Sequence, residues 1–365
     1  MTLAVEVTAT DGAARVTTVT TPRGTFATPC FMPVGTRGTV KSLAAPDLEA
    51  LGAEVVLANA LHLLLRPGAG IVAELGGLHR FSGWSGHLLT DSGGYQVFSL
   101  RPKVDDDGVT FRSPYDGAAT RLTPEGVVAL QGTLGSDLAM VLDECPPLPS
   151  PPAVLRAAVE RTLAWAARSH GTPRRDGQAL LGIVQGGTDL ALRAECAVRT
   201  VELGFDGYAV GGLSVGEPRP AMLEALAATI EHLPADRPRY LMGVGDPVGL
   251  VEAVALGVDL FDCVLPTRLA RHGHLLTSEG RLALRNARFA ADDGPLDPAC
   301  PCSTCARWSR GFLRHLLLVN EPTGPRLITI HNVAWVLDLV RRIRTAVTEG
   351  RLAALRTEVA EAYPA

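Results

Sequence analysis

Three aspartates in this sequence each close a short apolar run. Asp91 ends His87-Leu-Leu-Thr-Asp91, Asp143 ends Leu138-Ala-Met-Val-Leu-Asp143, and Asp262 ends Val258-Asp-Leu-Phe-Asp262. Carboxylates that face each other across a pocket can do glycosidic chemistry: one attacks the anomeric carbon while the other manages the proton on the leaving group. Any one such aspartate could equally cap the next helix, but N-caps are as often Ser, Thr or Asn, so three together favour chemistry. Glycine pairs accompany them in Asp91-Ser92-Gly93-Gly94-Tyr95-Gln96, Gln185-Gly186-Gly187 and Gly211-Gly212-Leu213. Glycine lets backbone approach a ligand closely, and a tyrosine can stack on a flat ring. Singly, each pair reads as a plain turn. Together with the Asp and Gln side chains they describe a pocket for a planar heterocycle with several hydrogen-bonding edges. The chain has no phosphate loop of the GxxxxGK[ST] or GxGxxG kind, no HExxH and no Ser-His-Asp signature, which argues against nucleotide cradling, catalytic zinc hydrolysis and acyl transfer.

Seven cysteines form a second constellation. Cys30, Cys145, Cys196 and Cys263 are scattered, whereas Cys300, Cys302 and Cys305 cluster. The first residues lack a basic start followed by an apolar stretch, so no secretory signal is expected, and a metal site is favoured over disulfides. Three thiolates and one imidazole fill a tetrahedral zinc shell with no open position, which makes such a site structural. On spacing alone both His331 and His315 can supply the imidazole.

These residues need a scaffold. Besides the three runs above, short apolar stretches occur at Glu54-Val-Val-Leu-Ala-Asn59, Leu180-Leu-Gly-Ile-Val-Gln185, Gly207-Tyr-Ala-Val-Gly-Gly212, Arg239-Tyr-Leu-Met-Gly243 and near Phe31 to Val34. Runs this short and apolar read as strands buried on both faces. The stretches between them have helical spacing. The clearest is Pro152 to His170, with Val154, Leu155, Ala158, Val159, Thr162 and Leu163 on one face. Thr123-Pro124-Glu125 and Glu217-Pro218 look like helix starts. About eight β-then-α units predict a parallel (β/α)₈ barrel of the α/β class over residues 1–365, with an open doubly wound sheet as the competitor. Reactive groups then sit at the carboxyl ends of the strands. The Thr- and Val-rich first ~25 residues are expected to form a hairpin over the barrel bottom. Residues 272–325 break the rhythm and read as an inserted, metal-bearing subdomain. After it, Ile328 to Val340 reads as an apolar run followed by a helix.

With 365 residues, 47% apolar and 20% charged, the chain can bury a large core and is neither disordered nor fibrous. No uncharged run reaches the ~18 residues of a membrane span, so a cytoplasmic location is expected. Net charge is −4, yet Arg268 to Arg314 holds eight arginines against four acids, a local +4 that leaves −8 elsewhere. That pattern fits an anionic partner met on one face, although an ordinary arginine-rich surface has the same composition.

Taken in order, these residues resemble the tRNA-guanine transglycosylase (queuine tRNA-ribosyltransferase) family, its bacterial branch in particular. The likeness runs nearly end to end through Asp91-Ser-Gly-Gly-Tyr-Gln-Val97, Met140-Val-Leu-Asp-Glu-Cys145, Gln185-Gly-Gly187, Gly211-Gly-Leu-Ser-Val-Gly-Glu217, Arg239-Tyr-Leu-Met-Gly-Val-Gly245, Asp262-Cys-Val-Leu-Pro-Thr-Arg268 and the cysteine set. The resemblance implies a TIM barrel with a zinc-bearing insertion, and His331 rather than His315 as fourth ligand of one structural zinc. It implies exchange of the wobble guanine of G-U-N anticodon tRNAs for a 7-deazaguanine, a step in queuosine biosynthesis. Asp262 would be the nucleophile and Asp91 the general acid/base. Ser92, Tyr95, Asp143, Gln185, Gly212, Leu213 and Met242 would bind the base, with Tyr95 and Met242 sandwiching it. Arg268 and Arg271 would meet the anticodon loop, and the enzyme would be a homodimer. Cys145 and Val215 are the residue types of members that insert 7-aminomethyl-7-deazaguanine (preQ1); queuine is the alternative incoming base. A non-catalytic tRNA-binding subunit and a barrel glycosidase unrelated to RNA are the competing functions. The chain departs from the family pattern at Asp246, where Lys is usual and a carboxylate would repel phosphate. It departs also at Ala60-Leu61, Pro114-Tyr115 and Leu269-Ala270.

Overall fold

The computed structural model describes residues 2–100 and 102–364; Met1, Arg101 and Ala365 lie outside the described residues. Eight parallel strands close on themselves: β1 (Cys30–Gly35), β2 (Val55–Asn59), β3 (His87–Asp91), β4 (Leu138–Met140), β5 (Ala179–Val184), β6 (Gly207–Val210), β7 (Arg239–Leu241) and β8 (Leu260–Cys263). Each of the eight apolar runs supplies one of them. They are short because residues buried on both faces are limited to the length of the barrel wall. β8 pairs with β1, Asp262 opposite Met32, and this pairing rules out the open sheet. The fold is therefore the expected α/β, (β/α)₈ barrel.

Helices wrap the barrel. Pro152–His170 spans the residues its periodicity predicts and buries Leu155, Ala158, Val159, Thr162 and Leu163. Val154 does not join that face; it lies in the first helical turn and is 46% exposed. Thr123 caps the helix Pro124–Leu134, its hydroxyl accepting from Gly126 N. The helix expected at Glu217-Pro218 begins at Arg219, with Pro218 in the cap position.

The N-terminal cover is larger than a hairpin. Ala4–Asp11, Ala14–Thr21 and Gly24–Thr28 form a three-stranded antiparallel sheet. It grips the amino ends of the barrel strands, which places it at the barrel bottom. Arg15 donates Nε to Asp259 Oδ1 at 2.9 Å just before β8, and Arg23 donates Nε to Asp137 Oδ1 at 2.8 Å just before β4. Both aspartates are buried.

Two stretches differ from the expectation. Between β3 and β4 the chain inserts a second antiparallel sheet, Lys103–Asp105, Gly108–Arg112 and Ala119–Leu122. And the helix expected after the apolar run takes in the run as well: one 26-residue helix, Thr323–Thr348, contains Ile328 to Val340 and buries Val333, Val336, Leu337, Val340 and Ile343. This helix is packed by the N-terminal sheet, β1, the helix Leu265–Arg271 and the hairpin His274–Thr277/Gly280–Ala283. A helix covered on nearly all sides reads as a continuous apolar run, which imitates a buried strand.

Candidate active site

The top of the barrel gathers the carboxyl ends of all eight strands. Asp91 is the last residue of β3 and Asn59 the last of β2, and the register sets them directly opposite. Asn59 Nδ2 donates to Asp91 Oδ2 at 2.6 Å, Gln96 Nε2 to the same oxygen at 3.3 Å, and Ala60 N to Asp91 Oδ1 at 3.0 Å. Despite three donors the carboxyl is pushed up to about 7. Burial is the main cause, the Ala60 N–H pulls the other way, and the nearby Asp262 charge adds to the rise. A carboxyl poised near neutrality can both give and take a proton.

Asp262 sits in β8. Tyr240, buried in β7, donates its hydroxyl to Asp262 Oδ1 at 2.6 Å, and Gly243 N donates to the same oxygen at 2.8 Å. Oδ2 takes no hydrogen bond among the described residues, so one oxygen is fixed and the other uncommitted. Burial raises this carboxyl too, opposed by the Tyr240 hydroxyl.

Asp143 lies three residues past β4. Gln185 Nε2 donates to its Oδ2 at 2.7 Å. Burial pushes Asp143 up to about 6, against the pull of that amide. Gln185 Oε1 is buried with no partner. Space here is tight. A Cβ on Gly212 would lie 2.1 Å from Gln185 Oε1, and Gly212 has φ +65°, so both room and conformation demand glycine. A Cβ on Gly94 would lie 2.9 Å from Asp143 Oδ1. Ser92 is buried, its Oγ accepting from Gly94 N at 3.2 Å. Leu213 is buried, Met242 is half-buried just past β7, and Tyr95 is 62% exposed. Asp91, Asp143 and Asp262 cap no helix of their own; the alternative held open for each of them does not apply.

β8 runs straight into the helix Leu265–Arg271. Arg268 and Arg271 are three residues apart and both exposed, while Leu269 and Ala270 are buried between them. That burial accounts for an apolar pair in place of a polar one. Asp246 is not a free negative charge: its Oδ1 accepts from Gly249 N at 2.9 Å, capping the helix Pro247–Ala255, and from Arg219 Nη2 at 2.7 Å.

Away from the mouth, Cys300, Cys302, Cys305 and His331 bring their ligand atoms within 4.8 Å of one another. His331 turns Nδ1 to Cys305 Sγ at 3.2 Å and Cys302 Sγ at 3.7 Å, while Nε2 meets Leu276 O at 2.8 Å. The carbonyl holds the outer ring nitrogen and leaves the inner one free to ligate, the usual support for a metal-binding histidine. His315 is exposed on the helix Arg310–Leu318 and outside the group. This four-donor set can hold a metal ion.

A model of the family described as queuine tRNA-ribosyltransferase matches residues 10–365. The chain belongs to that family. It is 55% identical over 348 residues to the queuine tRNA-ribosyltransferase of Desulforudis audaxviator, covering 94% of each chain. It is 52% identical over 348 residues to that of Thermus thermophilus, covering 95% of this chain and 90% of the relative. With that of Solidesulfovibrio magneticus it shares 51% over 358 residues, 97% and 96% of the two chains. The protein is thus a transferase of the pentosyltransferase class. Sequence reasoning named the two mouth carboxylates and the cysteine set but missed Tyr240, Asn59 and Gln96 as their partners. Tyr240 lies inside a quoted motif, yet nothing in one strand's sequence shows which residue of its neighbour it faces.

Proposed function

We propose that this enzyme exchanges the wobble guanine of G-U-N anticodon tRNAs for preQ1 through a covalent glycosyl–aspartate, a step in queuosine biosynthesis. Asp262 Oδ2 attacks C1′ of the ribose as the bond from C1′ to guanine breaks. Protonated Asp91 gives its proton to the departing guanine. The incoming base then loses a proton to the Asp91 carboxylate and attacks C1′, releasing Asp262. Two inversions give net retention. The observation that carries this reading is the division of labour between two mouth carboxyls. Asp262 has one oxygen pinned and one free, and Asp91 is poised near 7 within reach of its charge.

Asp143, Gln185, Ser92, Gly212 and Leu213 read the edges of the base, and Tyr95 and Met242 cover its faces. The target base must leave the loop stack to arrive there. Arg268 and Arg271 meet the anticodon loop, supported by their exposure on one helix immediately after the nucleophile strand. Buried Cys145 and half-buried Val215 favour preQ1 over queuine. Residues 272–325 form a subdomain pinned by one structural zinc on Cys300, Cys302, Cys305 and His331. A closed four-donor shell supplies folding energy, not chemistry. The enzyme works as a homodimer in the cytoplasm; no described helix is long and apolar enough to cross a membrane.

The test is incorporation of labelled guanine into tRNA bearing a G-U-N anticodon, followed by chase with preQ1 or queuine. Label enters and preQ1 displaces it. No incorporation refutes the exchange, and displacement by queuine alone reverses the choice of base. Asp262→Ala abolishes the covalent tRNA adduct; an adduct that maps to Asp91 reverses the two roles.

A further inference from the structure

One buried cation behind the glycine turns has no part in the scheme above. Arg193, in the helix Leu190–Glu202, is 0% exposed, and no carboxylate among the described residues lies within ion-pair reach of it. Its guanidinium donates instead to three carbonyl oxygens: Nε to Gly187 at 2.8 Å, Nη1 to Val184 at 3.1 Å and Nη2 to Gly212 at 3.2 Å. Val184 closes β5, Gly187 lies two residues past Gln185, and Gly212 lies two residues past β6. One planar fork thus ties two neighbouring strand ends together. Fit is close: a Cβ on Gly186 would stand 3.0 Å from Arg193 N, and one on Gly212 3.5 Å from Nη2. The nearest charged group electrostatically is Glu217; the Cys145 and Cys196 thiols close by are kept neutral by burial. Glu217 is already engaged by the Ser214 and Val215 amides. Burial draws Arg193 down to about 10, so it stays charged at neutral pH.

A buried cation with no carboxylate in ion-pair contact is a costly way to join two loops, and apolar packing would join them at less expense. The charge acts on what lies in front of it. A guanidinium donating to the Gly212 carbonyl fixes the direction of the 212–213 peptide and polarises it, which strengthens Leu213 N–H as a donor. It also sets a positive potential behind the wall formed by Gln185 and Gly212. We infer that Arg193 is a positioning residue for base recognition: its fork holds the Gln185–Gly187 and Gly212–Leu213 turns in register, and its charge selects bases that present a carbonyl oxygen on that edge over bases with an amino group there. This rests on the base-exchange reading above.

The experiment uses full-length, metal-loaded wild type, R193K and R193M. It measures KM for guanine, KM for tRNA, kcat, thermal midpoint, and inhibition by 2,6-diaminopurine, which carries an amino group in place of the guanine carbonyl. In R193M, guanine KM rises about tenfold or more, the equivalent of one charged hydrogen bond lost. KM for tRNA, which also draws on anticodon-loop contacts outside this pocket, rises less than KM for guanine. Preference for guanine over 2,6-diaminopurine shrinks in R193M and persists in R193K, which keeps the charge without the fork. An unchanged guanine KM in R193M overturns the inference. So does a loss spread equally over both KM values and kcat that tracks the thermal midpoint. If R193M does not fold, R193K decides: guanine KM raised more than tRNA KM supports positioning, and both unchanged overturns it. Failure of wild type to take up guanine at all refutes the exchange reading, a result separate from any ratio of variant to wild type.

Discussion

Replacing Tyr240 with Phe deletes one hydroxyl and leaves the ring's packing in the barrel intact. Among the described residues that hydroxyl is one of two donors on Asp262 Oδ1, at 2.6 Å, the other being Gly243 N at 2.8 Å. A hydrogen bond to a charged group contributes about 1.5–3 kcal/mol. Its loss therefore raises the Asp262 carboxyl further. The starting point is already above the ordinary carboxylate value because of burial. The sign follows from the proposed exchange: there only the carboxylate attacks C1′, so a higher pKa removes nucleophile at low pH and matters little once pH exceeds it. Guanine exchange by Y240F is therefore expected to fall by up to about ten- to a hundredfold on the acid limb, with the gap closing as pH rises. The assay is kcat/KM for labelled-guanine incorporation at half-unit pH steps, with wild type alongside. A loss of equal proportion at every pH, or an acid limb that stays where it is, would refute the argument that this hydroxyl tunes the nucleophile.

Three further outcomes are expected. In D262N the like charge beside Asp91 is gone, so the Asp91 carboxyl titrates below its wild-type value of about 7, read by isotope-edited carboxyl spectroscopy. G212A introduces a side chain at φ +65°, 2.1 Å from Gln185 Oε1; it costs about 1–2 kcal/mol of backbone strain and raises guanine KM about tenfold or more, measured by initial rates and thermal melts. C302S breaks the four-donor set, so metal analysis finds the ion lost and limited proteolysis cuts within 272–325 before the barrel.

The barrel was readable because each strand is a short run buried on both faces, and eight such runs leave few topologies. The strand-end residues Asp91, Asp143, Gln185 and Asp262 were readable for the same reason: the end of an apolar run is visible without coordinates. Their partners were not. Asn59 meets Asp91 through the register of neighbouring strands, and Tyr240, paired with Leu260, reaches Asp262 two residues further along β8. The sheet at 103–122 escaped because its strands are only three to five residues long, too short for their alternation to stand out. The helix Thr323–Thr348 was mistaken in part for a strand because burial on nearly every side erases the polar stripe that marks a surface helix. Spacing alone left His331 and His315 open and the resemblance chose His331; the fold supplies the reason, since Leu276 O and the turn of that helix aim its imidazole at the thiols.

The clasp at the barrel floor constrains anyone who would shorten this protein. Asp259 lies three residues before Asp262, wholly buried, and takes its charge balance from Arg15 in the cover sheet. Trimming away the first two dozen residues as decoration would strand that anion without its cation, at a cost of about 3–5 kcal/mol. The damage would fall on the very strand whose other end carries Asp262. A minimal catalyst built on this scaffold must therefore keep its floor, or first replace Asp259 with a neutral residue.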